Sequence, residues 1–241
     1  MLILGIDTAT TAASAALVEE GRIVREATGG AAGGNGAGSA RGNHAAILLP
    51  LIDDLLREAN IALSDVGAFA VALGPGSFTG LRIGLATVKG LVYGSNAPVI
   101  GVPTLHAVAA RVDDHEGFIC PFLDARKKEV YAALFCRQHG RLERVSDDVV
   151  APPAAVLDAA RRRIGSARCL FIGDAIVTYE AAVKQALGAQ ALSTFGAGYP
   201  STAAAVARIA DEKLRRGDYD AVGPLAPIYL RPSEAELKKI S

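Results

Sequence analysis

The chain has 241 residues and no net formal charge, with 25 basic and 25 acidic side chains. Its length fits one large domain or two small ones. The charge balance argues against a protein that binds nucleic acid alone through a basic face, but it leaves open a chain that meets RNA inside a complex. No apolar run approaches the ~20 residues that span a bilayer, so we expect no membrane association.

The cysteines Cys120, Cys136 and Cys169 are odd in number and show no C-x-x-C spacing. Such a set is typical of buried thiols in a reducing compartment, not of a disulfide framework. The N-terminal MLILGIDTAT has no basic segment before its apolar run, which Asp7 interrupts, so it predicts a strand and not a signal peptide. We therefore expect a cytoplasmic protein.

Hydrophobic periodicity predicts the elements of the first half. They are strands at 2–6, 13–19, 22–27, 66–73 and 99–102, and helices at 44–59, 79–93 and 104–111. Pro50 lies inside the first helix and should bend it. The segment 28–42 holds seven glycines in fifteen residues, so it predicts a mobile loop that is dispensable for folding.

The order of elements then repeats. The second half predicts strands at 118–123, 129–136, 141–145, 169–172 and 189–193, and helices at 152–163, 174–187 and 201–216. Asp124 follows the first strand of this half as Asp7 follows that of the other, and the same shift aligns residues 14–18 with 131–135, three of them identical. Both halves read β-β-β-α-β-α, which predicts a duplicated α/β fold with subdomains 1–112 and 113–241.

Five segments of the chain resemble the TsaB family, also called YeaZ. They are ILGIDTAT at the start, GPGSFTGLRIG at 74–84, VPTLHAVA at 102–109, DARKKEVYAALF at 124–135 and PIYLRPSEAE at 227–236. The resemblance runs from the first strand to the last twenty residues. It implies the actin-like ATPase-type fold of the actin, Hsp70 and sugar-kinase (ASKHA) superfamily, in which a first strand ends in Asp before a hairpin.

The resemblance also implies a function. Family members are non-catalytic scaffold subunits that dock TsaD, their catalytic paralogue, and the small ATPase TsaE. The assembly transfers threonylcarbamoyl to the adenosine 3′ of the anticodon in tRNAs that read ANN codons. We accordingly expect ATP and metal on the partner subunits, no cofactor on this chain, tRNA contact only through the complex, and a homodimer when the chain is alone.

Asp7 and Asp124 are the candidates for a vestigial nucleotide site. In the superfamily such an aspartate positions Mg²⁺, and the hairpin after it wraps a phosphate with small residues. Here both hairpins, DTATTAAS and DARKKEVY, lack glycine, and Arg126, Lys127 and Lys128 stand where the backbone would have to approach the phosphate. These side chains could still meet a phosphate as point charges. In the alternative, the two aspartates only cap turns.

The GPGSFTG segment matches neither the dinucleotide fingerprint nor the P-loop. Its N–H groups could hold an anion at a helix N-terminus. The alternative, which the sequence favours, is a tight strand-to-helix turn capped by Ser77 or Thr79.

Catalytic and metal-binding alternatives find little support in the sequence. His44 lies in the first turn of a helix, but Leu48 occupies the position of the second histidine that TsaD-like proteins use, so no metal site is predicted. Ser77 does not lie in a G-x-S-x-G elbow, which disfavours a peptidase. The glycine-free hairpins disfavour an ATP-binding kinase. These two activities remain the alternative functions.

Apolar and small residues on the first two helices predict a protein interface. The first helix carries a wide apolar stripe, and glycines one turn apart on the second permit close approach of another helix. The candidate residues are Ile47, Leu48, Leu51, Leu55, Gly80, Leu81, Gly84, Leu85 and Val88. In the alternative, the same residues pack on the chain's own sheet. The resemblance implies that this helix pair contacts TsaD or a second copy of the chain.

Overall fold

A computed structural model describes residues 1–29, 44–194 and 201–231 of the chain. The described strands are β1 Leu2–Asp7, β2 Ala13–Glu19, β3 Arg22–Gly29, β4 Ala68–Gly74, β5 Val99–Pro103, β6 Gly117–Asp124, β7 Val130–Ala132, β8 Phe135–Gln138, β9 Arg141–Arg144, β10 Val149–Ala151, β11 Cys169–Ile172 and β12 Ala191–Thr194. The described helices are α1 His44–Ala59, α2 Phe78–Leu91, α3 Thr104–Ala110, α4 Pro153–Ile164, α5 Ile176–Leu187 and α6 Thr202–Arg215. Two 3₁₀ turns, Leu63–Asp65 and Gly188–Gln190, complete the described elements.

The chain forms two units, Met1–Ala107 with Pro200–Ile228 and Val108–Tyr199 with Tyr229–Ser241. The sheet of the first unit has the strand order β3-β2-β1-β4-β5. β1 and β2 are antiparallel, whereas β1, β4 and β5 are parallel. The parallel strands are almost wholly buried, as expected for a sheet covered on both faces.

The two faces of this sheet are covered by different helices. Leu4 and Ile6 of β1 share a core with Leu48 and Leu55 of α1 and with residues of α2. α1 is continuous through Pro50. The other face of β1 contacts α6, where a methyl group added at Gly5 would lie 2.3 Å from the backbone oxygen of Ala203. The alanine-rich sequence of α6 follows from this spacing, because larger side chains would hold the helix away from the sheet.

The position of α6 corrects the predicted subdomain boundary. The sequence places the helix in a subdomain of residues 113–241, but the helix packs on β1, β2, β4 and β5 of the first unit. Its first turn is held there by the N–H of Ala203, which donates to Ser14 Oγ at 3.3 Å, and by the N–H of Ser201, which donates to Glu26 at 2.9 Å. The glycine-rich loop predicted at 28–42 falls mainly outside the described residues, although β3 extends to Gly29.

The second unit repeats the pattern of the first. β6 is antiparallel to β7 and β8 and parallel to β11, which is parallel to β12. This arrangement matches that of β1 with β2, β4 and β5, so the duplication inferred from the sequence is present in the fold. The strand predicted at 129–136 is divided into β7 and β8, because the backbone of Leu134 does not pair with a neighbouring strand. Its N–H donates to Ser146 Oγ at 2.8 Å, and its carbonyl accepts the N–H of Val145 at 2.8 Å.

The core of the second unit contains two of the three cysteines. Cys120 and Cys169 are buried with Phe122 and Phe171, whose rings meet edge to face at 5.9 Å. Burial raises the pKa of the Cys120 thiol to about 12 and also raises that of Cys169. All three thiols are free, as the sequence predicts. The described helices all fall short of the length and apolarity that crossing a bilayer requires.

We expect Gly5→Ala to lower the free energy of unfolding by about 1–3 kcal/mol, because its methyl group overlaps a backbone oxygen that cannot rotate away. Urea denaturation measures the change. Gly223→Ala is the control, since a methyl group there meets nothing within 4 Å. Equal stability of the two variants would contradict the close approach of α6 to β1.

We also expect stability to fall at alkaline pH through the buried thiols. The folded state keeps Cys120 protonated up to a pKa of about 12, whereas an unfolded thiol ionises near pH 8.5. The stabilisation that comes from keeping the Cys120 thiol protonated in the folded state is therefore complete below about pH 8.5. Above that pH, the free energy of unfolding declines by up to about 1.4 kcal/mol per pH unit. Urea denaturation from pH 8 to 11 should show a shallower decline for Cys120→Ala than for the parent. Parallel curves would contradict this.

Candidate functional site

The first candidate site is the turn after β1, where Asp7 is fully buried. Its Oδ1 accepts the N–H of Ala9 at 2.7 Å, and its Oδ2 accepts the hydroxyl of Thr10 at 3.2 Å. The carboxylate thus holds the turn that leads into β2. This geometry corresponds to the turn-capping alternative of the sequence analysis.

The GPGSFTG segment packs directly on this turn. The N–H of Ser77 donates to the carbonyl of Ala9 at 2.8 Å, and the hydroxyl of Thr8 donates to the carbonyl of Gly80 at 2.6 Å. A methyl group added at Gly80 would lie 1.9 Å from the carbonyl oxygen of Thr8. Ser77 Oγ accepts the N–H of Gly80 at 3.2 Å and caps α2. The segment therefore works as the tight strand-to-helix turn that the sequence favours.

His44, the first residue of α1, is buried beside the start of α2. A methyl group added at Gly80 would lie 3.1 Å from His44 Nδ1, so the N-termini of the two helices are adjacent. His44 Nε2 has no hydrogen-bond partner among the described residues. Within residues 1–29, 44–194 and 201–231, no three His, Cys, Asp or Glu side chains form a group that could hold a metal ion.

The second candidate site, the turn after β6, has a different chemistry. Asp124 accepts the N–H of Arg126 at 2.8 Å and the guanidinium of the same residue at 3.1 Å. Arg126, Lys127 and Lys128 have φ angles of 62°, 54° and 63°, so three successive non-glycine residues are left-handed. All three basic side chains are exposed. Such a conformation needs support from neighbouring structure.

That support comes from two residues that the sequence analysis did not single out. Arg231 forms an ion pair with Glu129 at the end of the turn and donates to the carbonyl of Ala125 at 2.9 Å. Asp174, just after β11, accepts the N–H of Asp124 at 2.9 Å. Burial raises the pKa of Asp174 above its ordinary value. The one sequence signal for Asp174 is its place after the strand that pairs with β6.

The residues predicted to form the interface lie mostly inside the first unit. Leu48, Leu55, Gly80, Leu81, Gly84, Leu85 and Val88 are buried, and Ile47 and Leu51 are half-buried. A methyl group at Gly84 would lie 2.4 Å from Thr8 Oγ1, and one at Gly29 would lie 2.8 Å from Ile47. This corrects the residue assignment, because these residues pack on the chain's own sheet, which was the alternative.

The exposed residues of the same two helices form a second, outward surface. Leu49 on α1 is 52% exposed, and Tyr93, just after α2, is 92% exposed. On α2, Ala86 and Gly90 are exposed and Ile83 is half-buried, while Arg82 is exposed and Lys89 half-buried on the same helix. A methyl group at Gly90 would meet nothing within 4 Å. We call Leu49, Ile83, Ala86, Gly90 and Tyr93 the outer helix face.

The fold of the two units defines the class of the protein as actin-like. An activator of 2-hydroxyisocaproyl-CoA dehydratase from Clostridium difficile has the same fold, with a TM-score of 0.52 at 12% identity over 90% of this chain and 97% of that one. YeaZ from Pseudomonas aeruginosa is more similar, with a TM-score of 0.74 and 29% identity over 95% of this chain and 99% of that one.

Sequence comparison identifies the family. The tRNA threonylcarbamoyladenosine biosynthesis protein TsaB of Bacillus subtilis is 30% identical over all of this chain and 98% of its own length. That of Escherichia coli is 37% identical over 57% of this chain and 56% of its own length. The family model described as TsaD, tRNA N6-adenosine threonylcarbamoyltransferase, matches residues 30–239. The chain belongs to the TsaB (YeaZ) family of tRNA threonylcarbamoyladenosine biosynthesis proteins.

Two glycines of α2 provide a test of the contact between this helix and the Asp7 turn. We expect Gly80→Ala to lower the free energy of unfolding by about 1–3 kcal/mol, because its methyl group meets the carbonyl of Thr8. Gly90→Ala should instead raise it by about 0.5–1 kcal/mol, since only the helix propensity changes there. Thermal and urea unfolding measure both. Changes of the same sign would contradict the packing.

Proposed function

We propose that the chain is a non-catalytic scaffold subunit of the assembly that forms threonylcarbamoyladenosine in tRNA. In this proposal it docks TsaD and, with it, TsaE, and the transfer takes place on TsaD at the adenosine 3′ of the anticodon in tRNAs that read ANN codons. A second copy of the chain occupies the same surface when TsaD is absent. The names of the relatives and the match to the TsaD family model support a shared assembly.

The observation that carries the docking role is the outer helix face. Monomeric proteins rarely expose contiguous apolar patches without a use. Here an exposed leucine lies on α1 and an exposed tyrosine lies just after α2, whose exposed positions include the small residues Ala86 and Gly90. Further along α1, Asp53, Asp54 and Arg57 form an exposed ion-pair cluster. An apolar centre beside a charged rim is the usual anatomy of a protein interface.

The first hairpin supports the non-catalytic part of the proposal. The carboxylate of Asp7 and the polar groups of Thr8 and Ala9 already bind other groups of the chain. A nucleotide phosphate in this turn would have to displace those contacts. Ser77 is used as a helix cap, so the hydroxyl that a serine peptidase would need is engaged in structure. The described residues therefore offer no observation that favours an ATP-binding kinase or a peptidase.

We expect Gly90→Glu to weaken binding to the TsaD protein of the same organism at least tenfold, because a carboxylate would be buried without a partner in the contact. Glutamate favours a helix over glycine, so the fold should be retained or slightly stabilised. Isothermal titration calorimetry measures binding, and circular dichroism measures folding. Mass spectrometry of tRNA after reconstitution with TsaD and TsaE measures the modification, which should fall in parallel.

Ala181→Glu on α5 is the matched control, since it adds the same charge to another exposed helical position. It should bind TsaD as the parent does. Gly84→Glu is unsuitable for this purpose because its side chain would enter the core at Thr8. If Gly90→Glu binds TsaD with parental affinity, the outer helix face is not the docking surface.

A further inference from the structure

Four arginines lie in the last turn of α4 or in the short loop after it, in the second unit. Arg161, Arg162 and Arg163 lie in the last turn of α4, and Arg168 immediately precedes β11. All four side chains are exposed. We call these residues the α4 arginine cluster.

The cluster lacks the neutralising partners that several other exposed cations of the chain have. Elsewhere Lys184 pairs with Glu180 at 2.9 Å, and Arg215 pairs with Asp211 at 2.9 Å. None of the four arginines forms an ion pair or a hydrogen bond through its side chain with another described residue. The sequence contains no acidic residue between Asp158 and Asp174, so no neighbour along the chain neutralises the positive charge.

The framework under the cluster is well defined. Val156, Leu157, Ala160 and Ile164 bury one face of α4. At about 100° per residue, Arg161 and Arg163 project to the two flanks of that face and Arg162 projects away from it. These guanidinium groups therefore cover the outer half of the helix end.

The loop that carries Arg168 is also held in place. Gly165 ends the helix with a φ of 60°. The side-chain amide of Gln190 donates to the carbonyls of Gly165 at 2.7 Å and Ala167 at 3.0 Å. The backbone at Arg168 is thus fixed between the end of α4 and the start of β11, four residues beyond the helix.

We propose that the α4 arginine cluster binds the phosphate backbone of tRNA. The inference rests on the proposed function, which brings the chain to tRNA within an assembly. Guanidinium groups bind phosphate oxygens through two parallel hydrogen bonds, and unpaired exposed arginines need not break an existing ion pair to do so. A cation at a helix C-terminus is favoured by the helix dipole, but that effect does not account for Arg168, which lies beyond the helix, or for the lack of acidic neighbours.

The test uses the assembled complex with TsaD and a tRNA that reads an ANN codon. A variant with all four arginines replaced by glutamine (R161Q, R162Q, R163Q, R168Q) should bind tRNA at least tenfold more weakly at physiological salt. The slope of log affinity against log salt concentration should become shallower by about 0.7–0.9 for each phosphate that the variant no longer neutralises. The corresponding four-lysine variant retains the charge and should keep most of the affinity and the slope.

The controls separate this inference from the docking role. R215Q with R216Q removes two arginines that pair with Asp211 and Glu212, and it should leave tRNA binding unchanged. Affinity for TsaD is measured for every variant and should stay at the parental value. Circular dichroism confirms that each variant is folded; should the four-glutamine variant unfold, the single variants R162Q and R168Q are compared in the same assays.

Two results would overturn the inference. If tRNA affinity and salt slope stay parental while TsaD still binds, the cluster does not contact tRNA. If TsaD or TsaE binding is abolished instead, the cluster binds an acidic surface of a partner protein. Failure of the proposed function would look different, because the parent chain itself would then fail to bind TsaD.

Discussion

The contact between the turn after β1 and the start of α2 fixes the organisation of the first unit. The hydroxyl of Thr8 and the carbonyl of Ala9 bind backbone groups of the GPGSFTG segment. Gly80 and Gly84 allow this contact, because side chains at either position would overlap the turn. The helix is thereby seated on the sheet beside α1, and the outward surface that the two helices share follows from that seating.

The two halves of the duplicated fold differ in chemistry at their aspartate turns. In the first unit, the Asp7 turn is buried and its polar groups are bound within the chain. In the second, the Asp124 turn is exposed and carries three basic residues in a left-handed conformation that Arg231 and Glu129 support. Both units therefore carry an aspartate after their first strand, but only Asp124 is exposed.

The two proposed binding surfaces differ in charge. The outer helix face belongs to the first unit and is defined by five apolar or small residues, whereas the α4 arginine cluster belongs to the second unit and consists of four cations. A neutral total of 25 basic and 25 acidic residues does not reveal this difference. In the proposed assembly, the first surface recognises protein through burial of apolar area and the second recognises RNA through charge.

The sequence by itself determined the local elements, the duplication and the family, because hydrophobic periodicity, glycine turns and the GPGSFTGLRIG segment are local signals. It did not determine which unit contains α6. The helix follows the second unit along the chain, but it packs on the first, where Gly5 lies close to Ala203. It also could not divide the residues of α1 and α2 between core and surface. Leu48 and Leu49 are adjacent in sequence and equally apolar, yet only the packing of α1 on the sheet buries the first and exposes the second.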